Sequence, residues 1–264
     1  MIQRKYIESL AKAGLRADGR AFDEYRKPIS VEYGVSAKSA EGSARIKIGD
    51  TEVIAGVKME LGKPYPDKPD QGSIMVNVEL LPMASPRFES GPPSIDAIEL
   101  ARVVDRAIRE SGSINFKKLC IEPGEQCWTV IIDIYPINAD GNLFDACSLA
   151  ALAAVKDAKM PKLNGDVVDY KNKTDEGLPL EKEALECTVY KVGGQLLVDP
   201  TVDEELAATA RLTVGVTDTN HICAMQKGGF ETLTEEEVLK IVDMAIEKTT
   251  ELRKELKNGK PYKI

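Results

Sequence analysis

Between Ala146 and Ala154, seven of nine residues are Ala, Cys or Ser, interrupted only by Leu149 and Leu152. Ala and Leu favour helix over other backbone states, and the run begins just after an Asp140-Gly141 turn. Side chains this small let a helix approach its neighbours closely. The segment therefore reads as a helix sandwiched in the interior, which requires other elements to cover it.

The rest of the chain supplies strands for that cover, in the same order twice. A short arm with helical spacing at Ile2, Tyr6, Ile7 and Leu10 stops at Gly14. Period-two patterning follows at Ile29 to Val35, at a hairpin turning on Gly49-Asp50, and at Ser73 to Leu81. After a Pro/Ser-rich loop, Asp96 and Glu99 open a helix whose apolar stripe is Leu100, Ala101, Val104 and Ile108. Trp128 to Tyr135 lacks polar alternation and reads as a central strand buried on both faces. In the second half, strands at Leu185–Val192, Gln195–Val198, Arg211–Val216 and His221–Met225 precede a helix opened by the capping box Thr234 and Glu237. Strands before helices in both halves give an α+β fold with sheets packed against helices. The divisions are an N-terminal arm (1–27), a first half (28–161), a polar linker (162–184) and a second half (185–264).

At 264 residues the chain can bury a large core without metal or disulfide staples. No stretch approaches the roughly 18 apolar residues of a membrane span, and the opening residues lack the apolar core of a signal peptide. The expected location is cytoplasmic, with no membrane contact. The five cysteines form no Cys-x-x-Cys pair and His221 is the only histidine, so no zinc site is expected and the thiols read as small buried apolar groups. No cofactor and no metal are implied. A formal charge of −8 argues against nucleic-acid binding over the whole surface, because phosphate affinity comes from counterion release by Lys and Arg. Any such contact would be a local basic channel on an acidic body.

Arg16-Ala17-Asp18-Gly19-Arg20 resembles the Arg-x-Asp-Gly-Arg signature that opens RNase PH-family proteins. The helix from Glu99 to Arg106, the junction Ile137 to Asn142, and the late strands running past Gly228-Gly229 follow in the family's order. The resemblance spans about residues 14–257 and is strongest to the non-catalytic ring subunit of the archaeal exosome. It implies an RNase PH-like fold of two similar halves. The implied chemistry is phosphorolysis, in which inorganic phosphate attacks the last phosphodiester of an RNA 3′ end and releases a nucleoside diphosphate. Such a reaction depends on cationic groups that clamp phosphate and on a nearby carboxylate.

Three positions depart from what the resemblance requires. Where active members continue the junction with Thr-Arg, this chain has Leu143 and Phe144. Ile95 and Asp96 stand where active subunits carry an arginine pair, and Arg211 aligns with the catalytic carboxylate. The acidic residues upstream, Asp199 and Asp203-Glu204-Glu205, read as a solvated loop. No catalytic residue is therefore assigned. Arg102, Arg106 and Arg109 share one helical face, which the resemblance puts near an RNA path. Lys117, Lys118 and Arg87 are further candidate RNA contacts. The alternative for the arginines is an ordinary charged face paired with Glu99, Asp105 and Glu110.

The implied function is a structural and RNA-guiding subunit that helps shape a partner's active site. Its partners are a homologous catalytic RNase PH-like subunit (three heterodimers in a ring), RNA-binding cap subunits and single-stranded RNA. Two other readings compete: an autonomous phosphate-dependent 3′-5′ exoribonuclease using divergent residues, and a scaffold without RNA contact.

Overall fold

The computed structural model describes residues 2–165 and 167–263; Met1, Asp166 and Ile264, within the expected arm, linker and second half, lie outside it. In chain order the elements are α1 (Ile2–Lys12), β1 (Ile29–Tyr33), β2 (Gly42–Ile48), β3 (Thr51–Gly62), β4 (Ser73–Val78), α2 (Ile95–Glu110), a 3₁₀ turn (Phe116–Leu119), β5 (Cys120–Glu122) and β6 (Gln126–Asn138). They continue with α3 (Leu143–Asp157), β7 (Lys159–Asn164), β8 (Val167–Gly177), β9 (Leu185–Val192), β10 (Gln195–Val198), α4 (Val202–Ala207), β11 (Ala210–Val216), β12 (Ile222–Gly229), α5 (Glu235–Asn258) and β13 (Lys260–Pro261).

The strands form a seven-stranded sheet in the order β13-β1-β2-β3-β6-β4, with β5 paired to β6. A four-stranded sheet in the order β10-β9-β11-β12 and a β7-β8 hairpin complete the set. The fold is α+β, with strands preceding helices in each half. The β2–β3 turn needs Gly49, whose φ is +58°, a left-handed value that side chains with a Cβ resist.

The small-residue helix α3 lies between the two sheets. It packs on β1, β2, β3 and β6 from one side and on β9 and α5 from the other, and every residue from Asp145 to Val155 is buried. The approach to β2 is close enough that a Cβ on Gly42 would sit 2.4 Å from backbone atoms of Ala154 and Ala158. Ala, Cys and Ser along α3 are what this spacing tolerates.

Two expectations need correction, and a third gains detail. β6 is central, but from Trp128 to Pro136 it alternates buried and half-buried residues, because the helices cover only one face of its sheet. The polar stretch 162–184, expected as a linker, has strands of its own. It carries the end of β7 and all of β8, which pair with each other. The thiols are not uniformly buried, since Cys120 and Cys223 are half-exposed. In α1 the buried side is Ile7 and Ala11, while Tyr6 faces solvent; the side chain of Ile2 lies outside those described.

Candidate functional site

A cavity of about 320 Å³ opens where α2, the start of α3 and β11 meet. Its lining includes Arg87, Phe88, Asp96, Glu99, Leu143, Phe144, Tyr190, Glu205 and Arg211. The structure thus gathers Asp96, Leu143, Phe144 and Arg211, the positions that the resemblance marks as departures, leaving out only Ile95. That residue points away and is 84% exposed.

The start of α3 has the makings of an anion site, because unpaired helix N–H groups and the macrodipole attract negative charge. Here the chain supplies the anion itself. Glu205 Oε1 accepts from the Asn142 backbone N–H at 2.7 Å and from the Tyr190 hydroxyl at 3.3 Å. Burial pushes the Glu205 carboxyl up, opposed by the Asn142 N–H and the nearby Arg87 charge. The helix cap Asn142 has φ +55°, and its Nδ2 reaches Asp145 and Asp199.

Arg211 enters the cavity from β11 but its charge is taken. Its guanidinium lies 4.2 Å over the Phe144 ring, and Nη2 pairs with Glu99 at 2.6 Å. Its Nη1 is buried without a partner. Leu143 and Phe144 offer neither hydroxyl nor cation at the first turn of α3. The cavity holds two arginines, Arg87 and Arg211, against Asp96, Glu99 and Glu205. An incoming phosphate would meet at least as much negative as positive charge.

Behind this wall sits a buried ionic cluster that sequence reasoning took for a solvated loop. Asp199 is wholly buried and accepts from Arg26 and Arg20. Glu204, 2% exposed, forms a two-pronged pair with Arg16 at 2.9 and 2.6 Å. Thr201 and Glu204 build a capping box on the short helix α4. The Arg16–Arg20 signature therefore clamps the arm to the second half. Bidentate geometry, together with the carbonyls that accept from the arginines' remaining N–H groups, explains why acids are tolerated here. The signal was readable: Thr201-x-x-Glu204 is a capping box, overlooked because the helix is only six residues long. Asp145, wholly buried, is pushed up to about 7 by burial, opposed by hydrogen bonds from Tyr25, Asn142 and Thr188.

The six candidate RNA contacts are not one patch of free charge. Arg102 is exposed on α2. Arg106 turns inward and donates to Gln226 of β12 at 3.0 Å, so α2 docks on the second sheet through it. Arg109 pairs with Asp105 at 2.7 Å, one helical turn away. Lys117 and Lys118 on the 3₁₀ turn lie near Asp70 and Glu181, at 3.5 and 3.3 Å, and stay largely exposed. Arg87 is exposed at the cavity rim. The single histidine, His221, bonds Thr219 within its own turn. Among the described residues no group of acids, cysteines and histidine is arranged to hold a metal, and no helix is long and apolar enough to cross a membrane.

Residues 25–161 match the first domain of the 3′ exoribonuclease family (RNase PH), and residues 184–248 match its second domain. The exosome complex component Rrp42 of Methanocella arvoryzae is 51% identical over 255 residues, covering 97% of this chain and 95% of that protein. Its counterpart in Methanothermobacter thermautotrophicus is 48% identical, covering 95% and 93%. A chain of the Archaeoglobus fulgidus exosome with RNA bound to the active site superposes with a TM-score of 0.88 at 43% identity, covering 96% of this chain and 97% of that one. A chain of an archaeal exosome core superposes at 0.85 with 40% identity, covering 97% and 96%.

Proposed function

Because this chain belongs to the 3′ exoribonuclease (RNase PH) family, carrying both of its domains, we propose that it is the non-catalytic, RNA-guiding subunit of an archaeal exosome core. In this reading it alternates with a homologous catalytic subunit, three heterodimers closing a hexameric ring in the cytoplasm, with RNA-binding cap subunits on top. The partner degrades RNA 3′ to 5′. Phosphate oxygen attacks the terminal phosphodiester phosphorus, the 3′ oxygen of the preceding nucleotide leaves, and a nucleoside diphosphate departs. This chain helps shape the partner's active site.

The observation that carries the reading is the Glu205 carboxylate on the backbone N–H of Asn142, the cap residue just before α3, beside an Arg211 already held by Glu99 and Phe144. A phosphorolytic enzyme must leave that helix end open for phosphate. Here phosphate would have to displace a carboxylate held by two donors, next to a cation already paired. Arg102, Arg109, Lys117, Lys118 and Arg87 remain accessible for positioning an RNA strand, and Arg106 contributes as the anchor of α2, the helix that carries Arg102 and Arg109. Contacts of that kind hold phosphate without reading bases.

The test is a phosphorolysis assay on three samples: this chain alone, the catalytic partner alone, and the two mixed in equal amounts and checked by gel filtration. The expected result is no nucleoside diphosphate from this chain, and a larger, active species from the mixture. Release by the isolated chain, or failure to associate with the partner, would overturn the assignment.

A further inference from the structure

Two of the five cysteines face each other across a pair of strands. In the antiparallel pairing of β5 with β6, Cys120 stands directly opposite Cys127. Directly opposed residues of an antiparallel pair project to the same face, with Cβ atoms about 4.5–5.5 Å apart. A disulfide requires Cα atoms about 4.4–6.8 Å apart and Cβ atoms about 3.5–4.5 Å apart. The backbone spacing already suits a bridge, and the Cβ atoms need to close by roughly an ångström or less.

The local structure can give that distance. β5 is only three residues long, and its register with β6 shifts between Cys120 and Glu122. A strand that short, with an irregular register, resists a small displacement less than the core strands do. The turn between the strands, residues 123–125, includes Gly124 at φ +81°. Its N–H bonds Pro69, so the hairpin is tied to the rest of the domain at one point near its tip.

The two thiols also differ in the way a thiol–disulfide reaction needs. Cys120 is half-exposed, so a dissolved reagent can reach it, whereas Cys127 is fully buried. Burial, together with the neighbouring Cys120, pushes the Cys127 thiol up. The entering nucleophile is therefore Cys120, and Cys127 is the resolving thiol. Of the other three, Cys147 and Cys187 are fully buried on α3 and β9, and Cys223, in the second sheet, is half-exposed but has its thiol pushed up to about 11 by burial, which keeps it protonated and slow to react.

We propose that Cys120 and Cys127 form a reactive cross-strand dithiol that closes into a disulfide on exposure to a small-molecule disulfide. The Cys120 thiolate attacks one sulfur of the reagent, forming a mixed disulfide and expelling one thiol. Cys127 then loses its proton to solvent and attacks the Cys120 sulfur, expelling the second thiol. The protein gives up two electrons and two protons, and the reagent is reduced to two thiols. The bridge would staple β5 to β6 immediately after the 3₁₀ turn that carries Lys117 and Lys118.

The experiment treats the full chain with oxidised glutathione, quenches with acid, counts thiols after denaturation, and maps peptides by mass. The expected count falls from five to three per chain, with the peptide spanning Cys120 and Cys127 lighter by two hydrogens and carrying no glutathione. In Cys127→Ser the mixed disulfide should persist on Cys120, and in Cys120→Ser the treatment should leave all remaining thiols free. A wild-type chain that retains glutathione on Cys120, or one that stays fully reduced at reagent concentrations that modify the Cys127→Ser chain, would overturn the proposal.

Discussion

The Arg211 guanidinium lies 4.2 Å above the centre of the Phe144 ring while its Nη2 pairs with Glu99 at 2.6 Å. An aromatic ring and an acid thus hold a cation at the position where the resemblance leads one to expect a carboxylate. The two residues are coupled: Phe144, read as the loss of a phosphate clamp, is also the platform on which Arg211 rests.

Arg211→Asp should not create phosphorolytic activity, since Leu143 and Phe144 still leave phosphate unheld. The new acid would face Glu99, so the variant should be less stable by roughly 1–3 kcal/mol. Urea titration reports the stability, and nucleoside diphosphate release reports the activity. Any release from the isolated variant contradicts the account of the cavity.

Arg16→Ala should be the costlier change, although it lies outside the cavity. It would leave Glu204 buried without its two-pronged partner, a defect that typically costs about 3–5 kcal/mol. Chemical denaturation of Arg16→Ala beside an Arg16→Met, Glu204→Leu double variant separates the cost of an orphaned charge from the worth of the pair. The double variant, which also gives up the Glu204 half of the capping box, should recover part of the loss; equal losses in both would show that the orphaned charge is not the main cost.

Changing Arg102, Arg106 and Arg109 to Ala in the assembled ring should weaken RNA binding without dissociating it. Each lost phosphate contact should flatten the salt dependence by about 0.7 in log–log slope for a single strand. Because Arg106 is bonded to Gln226, the single change Arg106→Ala should lower stability more than Arg102→Ala does. Affinities at two salt concentrations check the first statement and thermal melts the second. Unchanged affinity and slope would leave the arginines as scaffold.

Glu186 should make stability depend on pH. It is 1% exposed with one unpaired oxygen, and burial, aided by Asp145 and opposed by Arg106, raises it to about 8 from 4.5. Between those values the folded chain holds a proton that the unfolded chain has lost, so stability falls as pH rises through that window. Glu186→Gln, neutral throughout, should match the wild type near pH 4.5 and exceed it at pH 9 by roughly 1–3 kcal/mol. Asp145, at about 7, would keep a shallower decline in the variant below neutrality. Denaturant midpoints at the two pH values decide; an identical decline in both proteins would show that Glu186 is already charged.

Local patterning carried far in this chain. The Gly193-Gly194 hairpin and the Thr234–Glu237 box lie where turn and capping chemistry put them, because each depends on neighbours a few residues away. What the sequence hid depends on distant partners. Asp199 and Glu204 look like solvated acids until Arg26 and Arg16, 173 and 188 residues earlier, are brought against them. Arg106 looks free until Gln226 arrives from 120 residues away. The positions that differ from active members were legible one by one. Their meeting in a single cavity, with Glu205 on the helix end, was not, since no spacing rule relates residue 142 to residue 205.

The return of α5 to the first sheet has a consequence for synthesis. Leu252 and Leu256 fill the first core, and β13 pairs in parallel with β1. On a ribosome, the first half emerges early yet cannot finish its core until the last turns of α5 have left the exit tunnel. Its apolar surface must wait in an unfinished, aggregation-prone state, with slow non-local pairing as the final step. Truncation near residue 250 should therefore be felt at the opposite end of the polypeptide, in β1, the strand made first.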